Sequence, residues 1–212
     1  MNYNGKVFSE IKALYKEVNM RKYLLHVLII SFVFFLTPTV PVASYAGEIE
    51  TYKQEVEENP DDALARYNLG VVYGESGMYE EAIESYKQAI RIDPDYAKAH
   101  NNLGLVYIIS GKWVASKEAI ESFKQAIRIN PDFAEAHCNL GLAYYKSGMY
   151  KEAIESFRQA IRIDPDDAGA HFNLGDAYLG LNDEDSALEQ HEILKSLDSE
   201  LANKLFNLIY SE

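Results

Sequence analysis

The sequence is poor in the residues that build disulfides and nucleic-acid-binding surfaces. Its 212 residues include one cysteine and one tryptophan, and 33 acidic residues outnumber 20 basic ones, giving a formal net charge of −13. With Cys138 alone, an internal disulfide is excluded, and its place in an apolar-periodic stretch predicts a buried packing residue rather than a reactive thiol. Because nucleic-acid binding requires a basic face that neutralises phosphates, we expect no nucleic-acid partner.

Motifs of catalytic and cofactor sites are missing as well. The chain has no Gly-x-Ser-x-Gly, no His-Glu-x-x-His and no Cys-x-x-Cys segment. Gly111-Lys112 resembles the end of a phosphate-binding loop, but Trp113 stands where that loop needs serine or threonine. Carboxylates are plentiful but lie at solvent-facing and loop positions, where runs of charge usually serve solvation. We therefore expect no enzymatic activity and no cofactor.

A segment of different composition precedes the rest of the chain. Arg21 and Lys22 come directly before an apolar run over Leu24–Leu36, and small residues, Ser44 and Ala46, stand three and one positions before Gly47. A basic region, an apolar run and small residues at a cleavage point are the parts of a secretory signal peptide. The sequence therefore predicts that residues 1–46 direct export to the periplasm or beyond and are cleaved after Ala46.

A membrane anchor is the alternative for the same segment. A transmembrane helix needs about 20 apolar residues, so the span would have to cover residues 24–42 and cross Pro38 and Pro41. The residues before Met20 make a long basic region, which suits either an anchor in the inner membrane with its start in the cytoplasm or a true start at Met20. Without residues 1–46 the chain loses five basic and two acidic residues and becomes more acidic.

The rest of the chain repeats with a period near 34 residues. The triplet Asn-Leu-Gly occurs at 68–70, 102–104, 139–141 and 173–175, at intervals of 34, 37 and 34. A tyrosine follows each glycine by three residues, and in the first three units an alanine, an aromatic residue, a second alanine and a proline follow at matching places. Self-similarity at this period predicts a stack of equivalent supersecondary units.

Each unit contains two helical patterns separated by a turn. In the first half, positions 4, 7, 8 and 11 share one face, as Leu69, Gly70 and Tyr73 do in the first unit. Glycine costs roughly 1 kcal/mol inside a helix, so we expect it to allow close helix approach. Asp93-Pro94-Asp95 ends the second helix, and we expect Asp95 to cap the next one. Turn glycines recur at Gly77, Gly111 and Gly148.

These landmarks resemble the tetratricopeptide repeat, whose pattern is Leu-Gly-x-x-Tyr, Ala-x-x-x-Phe, Ala and Pro over 34 residues. The resemblance implies an all-α fold, a right-handed superhelical solenoid of stacked antiparallel helix pairs. The predicted parts are a signal peptide or anchor (1–46), an N-terminal capping helix (47–62), repeat 1 (63–96), repeat 2 with a three-residue insertion (97–133), repeat 3 (134–167), a degenerate repeat 4 (168–201) and the end of a C-terminal capping helix (202–212).

The chain departs from the family pattern at position 4, where the usual tryptophan is absent. Equivalent positions in stacked helices lie about 8–10 Å apart, while metal ligands lie ~2 Å from their ion. We therefore expect no metal site and interpret the position-4 residues as packing residues. The insertion around Trp113 is expected to lengthen the turn or the second helix, and Trp113 itself to pack or, alternatively, to make a secondary contact. The position-4 residues are Arg66, His100, His137 and His171.

Stacking lines up the free sides of the first helices, which form the concave face in this family and commonly bind peptides. An amide carries a donor and an acceptor, so a ladder of asparagines can satisfy the backbone of an extended peptide; alternatively, it belongs to the repeat's own hydrogen bonding. At position 9 the fourth repeat has Asp176 where the others are aliphatic. The predicted groove residues are Asn68, Asn102, Asn139, Asn173, Tyr67, Asn101, Phe172, Val71, Leu105, Leu142, Ile108 and Tyr145.

The sequence thus predicts a non-catalytic scaffold that binds a protein or peptide and assembles or tethers an envelope complex. A structural module that self-associates through its ends is the alternative. Some family members hold a partner's terminal carboxylate with lysine and arginine on these helices. Glu135 and Asn139 occupy two of the corresponding positions, so we do not expect that ligand here.

Overall fold

The computed structural model describes residues 42–110 and 117–210. The repeats lie in a compact unit that begins at Tyr45. All regular structure in the described ranges is α-helical, which confirms the predicted fold class. The helices are α1 (Val42–Glu58), α2 (Ala63–Glu75), α3 (Tyr79–Ile92), α4 (Ala97–Ile109), α5 (Lys117–Ile129), α6 (Ala134–Lys146), α7 (Tyr150–Ile163), α8 (Ala168–Leu179), α9 (Glu184–Leu197) and α10 (Ser199–Ile209).

The helices from α2 to α9 form four antiparallel pairs, one for each sequence repeat. Each second helix packs against its own first helix and against the first helix of the next repeat. The first helices α2, α4, α6 and α8 also contact one another in sequence, whereas the described parts of the second helices do not. The first helices therefore form a continuous row, in which each repeat contacts only its neighbours.

The glycine at position 8 lets the two helices of a repeat approach closely, as predicted. A Cβ atom added to Gly104 would lie 2.7 Å from the Phe123 ring, and one added to Gly141 would lie 2.6 Å from the Phe157 ring. Both rings are 0% exposed. The landmark pairing of glycine with an aromatic residue is therefore a direct packing contact, in which the ring occupies the volume that a side chain would need.

The turns inside the repeats use left-handed backbone conformations. Gly77 and Gly148 have φ values of +79° and +73°, and Asn182, at the same place in the degenerate repeat, has +58°. Asparagine is one of the few residues besides glycine that adopts this conformation readily. Repeat 4 thus keeps the turn geometry although it has lost the glycine.

The N-caps of the first helices lie one residue later than predicted. Asp95 does not cap α4, because the N-cap residue is Tyr96 and the Asp95 N–H donates to Oδ1 of Asp93 over 3.1 Å. Where the N-cap is an aspartate, Asp62 or Asp167, its carboxylate accepts backbone hydrogen bonds from the first turn. The Asp-Pro-Asp segment forms an Asx turn that places the following residue at the cap.

The position-4 residues connect each first helix to the turn that precedes it. In repeats 2 to 4 the histidine Nε2 donates to a proline carbonyl oxygen, and in repeat 1 the Arg66 guanidinium donates to Pro60. This bond is available because position 4 lies one helical turn beyond the cap. The histidine pairs are His100 with Pro94 at 3.1 Å, His137 with Pro131 at 2.9 Å and His171 with Pro165 at 3.0 Å.

Cation–π contacts join consecutive repeats through the position-11 tyrosines of the first helices. In each, a basic residue of one second helix lies over the position-11 tyrosine of the next first helix, at a distance at which such pairs attract. Arg158 also donates from Nη2 to the Tyr178 hydroxyl over 2.6 Å. The pairs are Lys87–Tyr107 at 5.9 Å, Lys124–Tyr144 at 5.7 Å and Arg158–Tyr178 at 5.7 Å.

Capping helices cover both ends of the repeats. At the N-terminal end, Ile49 of α1 is 8% exposed and packs with Leu69 and Tyr73. At the C-terminal end, α10 occupies the place of the first helix of a fifth repeat. Its Leu205 is 0% exposed, and a Cβ atom on Gly175 would lie 2.5 Å from the Leu205 side chain. Leucine from the cap thus takes the place of the missing aromatic residue of repeat 4.

Several predictions involve residues outside the described ranges. The signal peptide or anchor is one of them, apart from residues 42–46, which belong to α1 because that helix begins at Val42. In the described part of the chain, no helix is long and apolar enough to cross a membrane. Trp113 is also outside the described residues. Helix α5 is described from Lys117 to Ile129, so the predicted lengthening of the turn or helix around Trp113 also lies outside the described residues.

Candidate peptide-binding groove

The four first helices present the predicted groove residues along one row. Ten of the twelve are half-buried, so each has exposed surface as well as packing neighbours. The other two, Asn101 and Asn139, are 1% and 8% exposed. The structure therefore brings the predicted residues together but withdraws two asparagines from the groove surface.

The prediction that Asn101 and Asn139 line the groove surface is corrected by their burial. The Asn139 Nδ2 group donates to Asn101 Oδ1 over 3.1 Å, and Asn101 Nδ2 donates to Glu135 Oε1 over 3.1 Å. These bonds join α4 to α6. Because buried amides are costly without partners, the two asparagines satisfy each other and hold the repeats together rather than contacting a ligand.

The remaining asparagines differ in how far their amides are used. Asn102 Nδ2 donates to the hydroxyls of Tyr67 and Tyr86 over 3.1 and 3.5 Å, and Asn173 Nδ2 donates to Cys138 Sγ over 3.8 Å. Asn68 makes no side-chain hydrogen bond to any described residue. Three of the four ladder positions thus take part in hydrogen bonds within the stack, and Asn68 keeps its full capacity.

An aromatic cluster forms the N-terminal end of the groove. The Tyr67 ring centroid lies 5.7 Å from that of Tyr86 and 5.0 Å from that of Tyr96. Burial raises the pKa of all three hydroxyls, although the bond from Asn102 opposes the increase at Tyr67 and Tyr86. These hydroxyls therefore remain protonated around neutral pH, and the half-buried Tyr67 and Tyr96 offer apolar surface with a polar tip.

The C-terminal end of the groove is chemically different. Burial raises the Tyr145 pKa to about 12, and the neighbouring Asp176 carboxylate adds to the increase. The Tyr145 ring also lies edge-on to Tyr150, with centroids 5.4 Å apart. Asp176 was not among the predicted groove residues. The signal that identifies it is a charged residue at a position that is aliphatic in the other three repeats.

Cys138 lies half-buried on α6, where its Sγ accepts a hydrogen bond from Asn173. Burial raises the pKa of its thiol to about 11, and the carboxylate of Asp167 adds to the increase. The predicted packing role is consistent with a thiol that stays protonated.

Alkylation measures this shift. At pH 8 we expect iodoacetamide to modify Cys138 roughly 100-fold more slowly in the folded chain than in guanidinium chloride, because two units of pKa reduce the thiolate fraction by that factor. The raised pKa of the Cys138 thiol stabilises the fold at pH values below 9.0, which is the pKa of the thiol in the unfolded chain. This contribution is lost as the pH rises towards about 11. Equal rates by mass spectrometry in the two solvents would contradict the buried thiol.

A second concavity lies between α3 and α5, on the side away from the groove. It has a volume of about 550 Å³ and is lined by Ile90, Leu103 and Tyr107 together with charged residues, including Lys87 and Glu121. The sequence did not predict it. It lies where two consecutive second helices leave the intervening first helix partly uncovered.

Comparisons with known proteins agree with the repeat architecture. The profile described as "TPR repeat" matches residues 73–108, 116–148 and 143–182, and that described as "Tetratricopeptide repeat" matches residues 51–84. No curated protein matches the sequence significantly. A crystal structure of MamA is 28% identical with a TM-score of 0.64, and the match covers 78% of this chain and 90% of that one.

Two further structures show the same likeness. YrrB, described as a TPR protein with an unusual peptide-binding site, is 26% identical with a TM-score of 0.65, over 78% of this chain and 85% of that one. MamA from Desulfovibrio magneticus RS-1 is 22% identical with a TM-score of 0.67, over 74% of this chain and 87% of that one. At that identity, the last match concerns the fold alone.

Proposed function

Because this chain belongs to the tetratricopeptide repeat family, we propose that it is a non-catalytic scaffold that holds an extended segment of a partner protein along the row of first helices. Domains of this family generally bind protein partners, and neither matching profile is that of an enzyme. The observation that carries the proposal is the continuous row of half-buried, mostly uncharged side chains on α2, α4, α6 and α8.

The groove offers an extended segment both kinds of contact that it needs. Asn68 has a free amide that can donate to and accept from a peptide backbone. Leu105, Ile108 and Leu142 are half-buried, so their remaining exposed surface can be covered by apolar side chains of a ligand. Tyr67 adds a rigid aromatic surface of the kind enriched in binding hot spots. The likeness to YrrB, whose description names a peptide-binding site, also supports this use of the fold.

We further propose that the scaffold works in a bacterial cell envelope, where it assembles or tethers a complex. The support is the basic-apolar segment of residues 1–46, which has the parts of an export signal. Either fate of that segment, cleavage or retention in the inner membrane, places the repeats outside the cytoplasm. N-terminal sequencing of the protein isolated from cells distinguishes the two, because cleavage would give a chain that starts at Gly47.

A capture experiment tests the groove. The full chain is compared with a triple variant, Asn68→Ala, Asn102→Ala and Asn173→Ala, and with a control, Asn203→Ala and Asn207→Ala, whose asparagines are exposed on α10. Circular dichroism verifies that all three are equally helical. We expect a partner from envelope extract to be retained by the wild type and the control, and to fall about tenfold in the triple variant.

A partner retained equally by all three chains would contradict binding in the groove. The absence of any partner on the wild-type chain would contradict the scaffold function itself.

Self-association is the second candidate, and a specific patch favours it. The C-terminal cap exposes Phe206 by 44% and Tyr210 by 60%, and the preceding helix α9 exposes Ile193 by 40%. Exposed apolar patches of this kind mark interaction sites in many soluble proteins. Under this candidate, sedimentation velocity would show oligomers that grow with concentration in the wild type and disappear in Phe206→Ser with Tyr210→Ser. A wild-type monomer at every concentration would contradict it.

A further inference from the structure

Asp176 is the one charged residue on the floor of the groove. The floor consists of positions 5, 6, 9 and 12 of the four first helices, and the other fifteen positions hold asparagine, aliphatic or aromatic residues, cysteine or glycine. At position 9, Asp176 replaces the aliphatic residues Val71, Leu105 and Leu142. It is half-buried, so its carboxylate is partly removed from water while remaining open to the groove.

The carboxylate has a neutral neighbour and no cation. Asp176 lies close enough to Tyr145 to add to the increase in the pKa of its hydroxyl, and no ion pair within the described residues involves Asp176. The first helices carry two lysines, Lys98 and Lys146. Both are exposed, and they stand at positions 2 and 13, which are not part of the floor. A partly desolvated carboxylate gains most from a charge-assisted hydrogen bond, so an incoming cation would find an acceptor with unused lone pairs.

The spacing of the floor residues matches one backbone conformation. Packed helices generally lie about 8–10 Å apart, and the first helices of adjacent repeats are in contact. A polyproline II segment has three residues per turn and rises about 3.1 Å per residue, so every third side chain points the same way at ~9 Å intervals. A segment in this conformation can therefore present one side chain in turn to Leu105, Leu142 and Asp176.

We propose that the groove selects an extended segment with two apolar residues and one arginine or lysine at three-residue spacing. The apolar side chains of the segment pack against Leu105 and Leu142, and its basic side chain donates a charge-assisted hydrogen bond to the Asp176 carboxylate. The inference rests on the proposed function and names the class of its ligand. The net charge of the chain, −13, attracts such a basic segment over a distance as well.

Peptide selection tests the inference without a known partner. A displayed library of random peptides is selected on the purified full chain, and the bound peptides are sequenced. We expect the selected peptides to carry two apolar residues three positions apart. Arginine or lysine should be enriched a further three positions from one of them. The consensus peptide and its analogue with glutamine in place of the basic residue are then synthesised for affinity measurements.

A double-substitution cycle assigns the cation to its acceptor. Asp176→Asn keeps the size of the side chain and removes its charge, and the control Glu155→Gln removes the same charge from the exposed surface of α7. We expect about a tenfold loss of affinity for the glutamine peptide on the wild type, a similar loss for the basic peptide on Asp176→Asn, and no added loss when both changes are combined. Glu155→Gln should leave the affinity nearly unchanged.

The outcomes separate the two proposals. A consensus without a basic residue, or a glutamine peptide that loses affinity equally on wild type and Asp176→Asn, would overturn the role of Asp176 and leave the scaffold function standing. A library from which the wild-type chain selects no peptide would contradict both.

Discussion

Replacing Phe123 with alanine is expected to lower the free energy of unfolding by about 3–5 kcal/mol. The ring is 0% exposed and lies so close to Gly104 that no Cβ atom would fit between them. Glycine has no side chain that could move into the vacated space, so a cavity would remain between the two helices of repeat 2. Urea unfolding followed by far-ultraviolet circular dichroism measures the change in stability.

An exposed phenylalanine is the matched control for this effect. Phe206 is 44% exposed on α10, and its replacement by alanine should cost about 1 kcal/mol or less, because only part of its apolar surface is buried. If Phe123→Ala cost no more than Phe206→Ala, the close contact between Gly104 and Phe123 would not be a feature of the folded protein.

Replacing Leu205 with alanine is expected to destabilise the C-terminal end of the stack by about 2–5 kcal/mol. Leu205 is 0% exposed and is the residue through which α10 fills the space beside Gly175. Since stability in a repeat protein is built from neighbouring contacts, the effect should be largest in α8, α9 and α10. Hydrogen exchange read by mass spectrometry should show faster exchange there and little change in α2 and α3.

The control for the cap lies on the same helix. Leu208 is 42% exposed, so Leu208→Ala removes the same number of atoms from a less buried place and should have a smaller effect. Uniformly faster exchange along the whole chain in Leu205→Ala would contradict a local capping role and indicate that the repeats unfold as one unit.

The repeat landmarks allowed most of the fold to be predicted from the sequence. A glycine and an aromatic residue at constant spacing in three units predicted the helix contact that Gly104 and Phe123 make. The degenerate fourth repeat, followed by a predicted capping helix, indicated where the stack ends, and α10 lies at that place. Periodicity is informative here because each repeat gives an independent instance of the same packing.

The details that the sequence did not give depend on single hydrogen bonds. Asn101 and Asn102 are neighbours in the chain and both belong to the predicted groove, yet Asn101 is 1% exposed because its amide pairs with Asn139. Residue spacing does not encode whether an amide faces the groove or pairs with an amide of the next repeat. Asp95 was assigned to the cap for a similar reason, since a carboxylate that caps and one that precedes a cap look alike in sequence.

Asp176 shows what comparison within one chain can reveal. The four repeats act as an internal alignment, in which position 9 is aliphatic three times and acidic once. Taken alone, the aspartate would pass for a solvated surface residue in an acidic protein. Its half-buried place beside Tyr145 is what makes the substitution chemically unusual.

The α10 cap also gives the stack a fixed size. The cation–π pairs run in one direction only, from the second helix of one repeat to the first helix of the next, so the ends of the array are not interchangeable. Helix α10 sits where the next unit would add and presents Leu205 in place of a further repeat. Helix α10 therefore closes the array of repeats, and under the proposed function the number of first helices limits the length of the segment that the groove can contact.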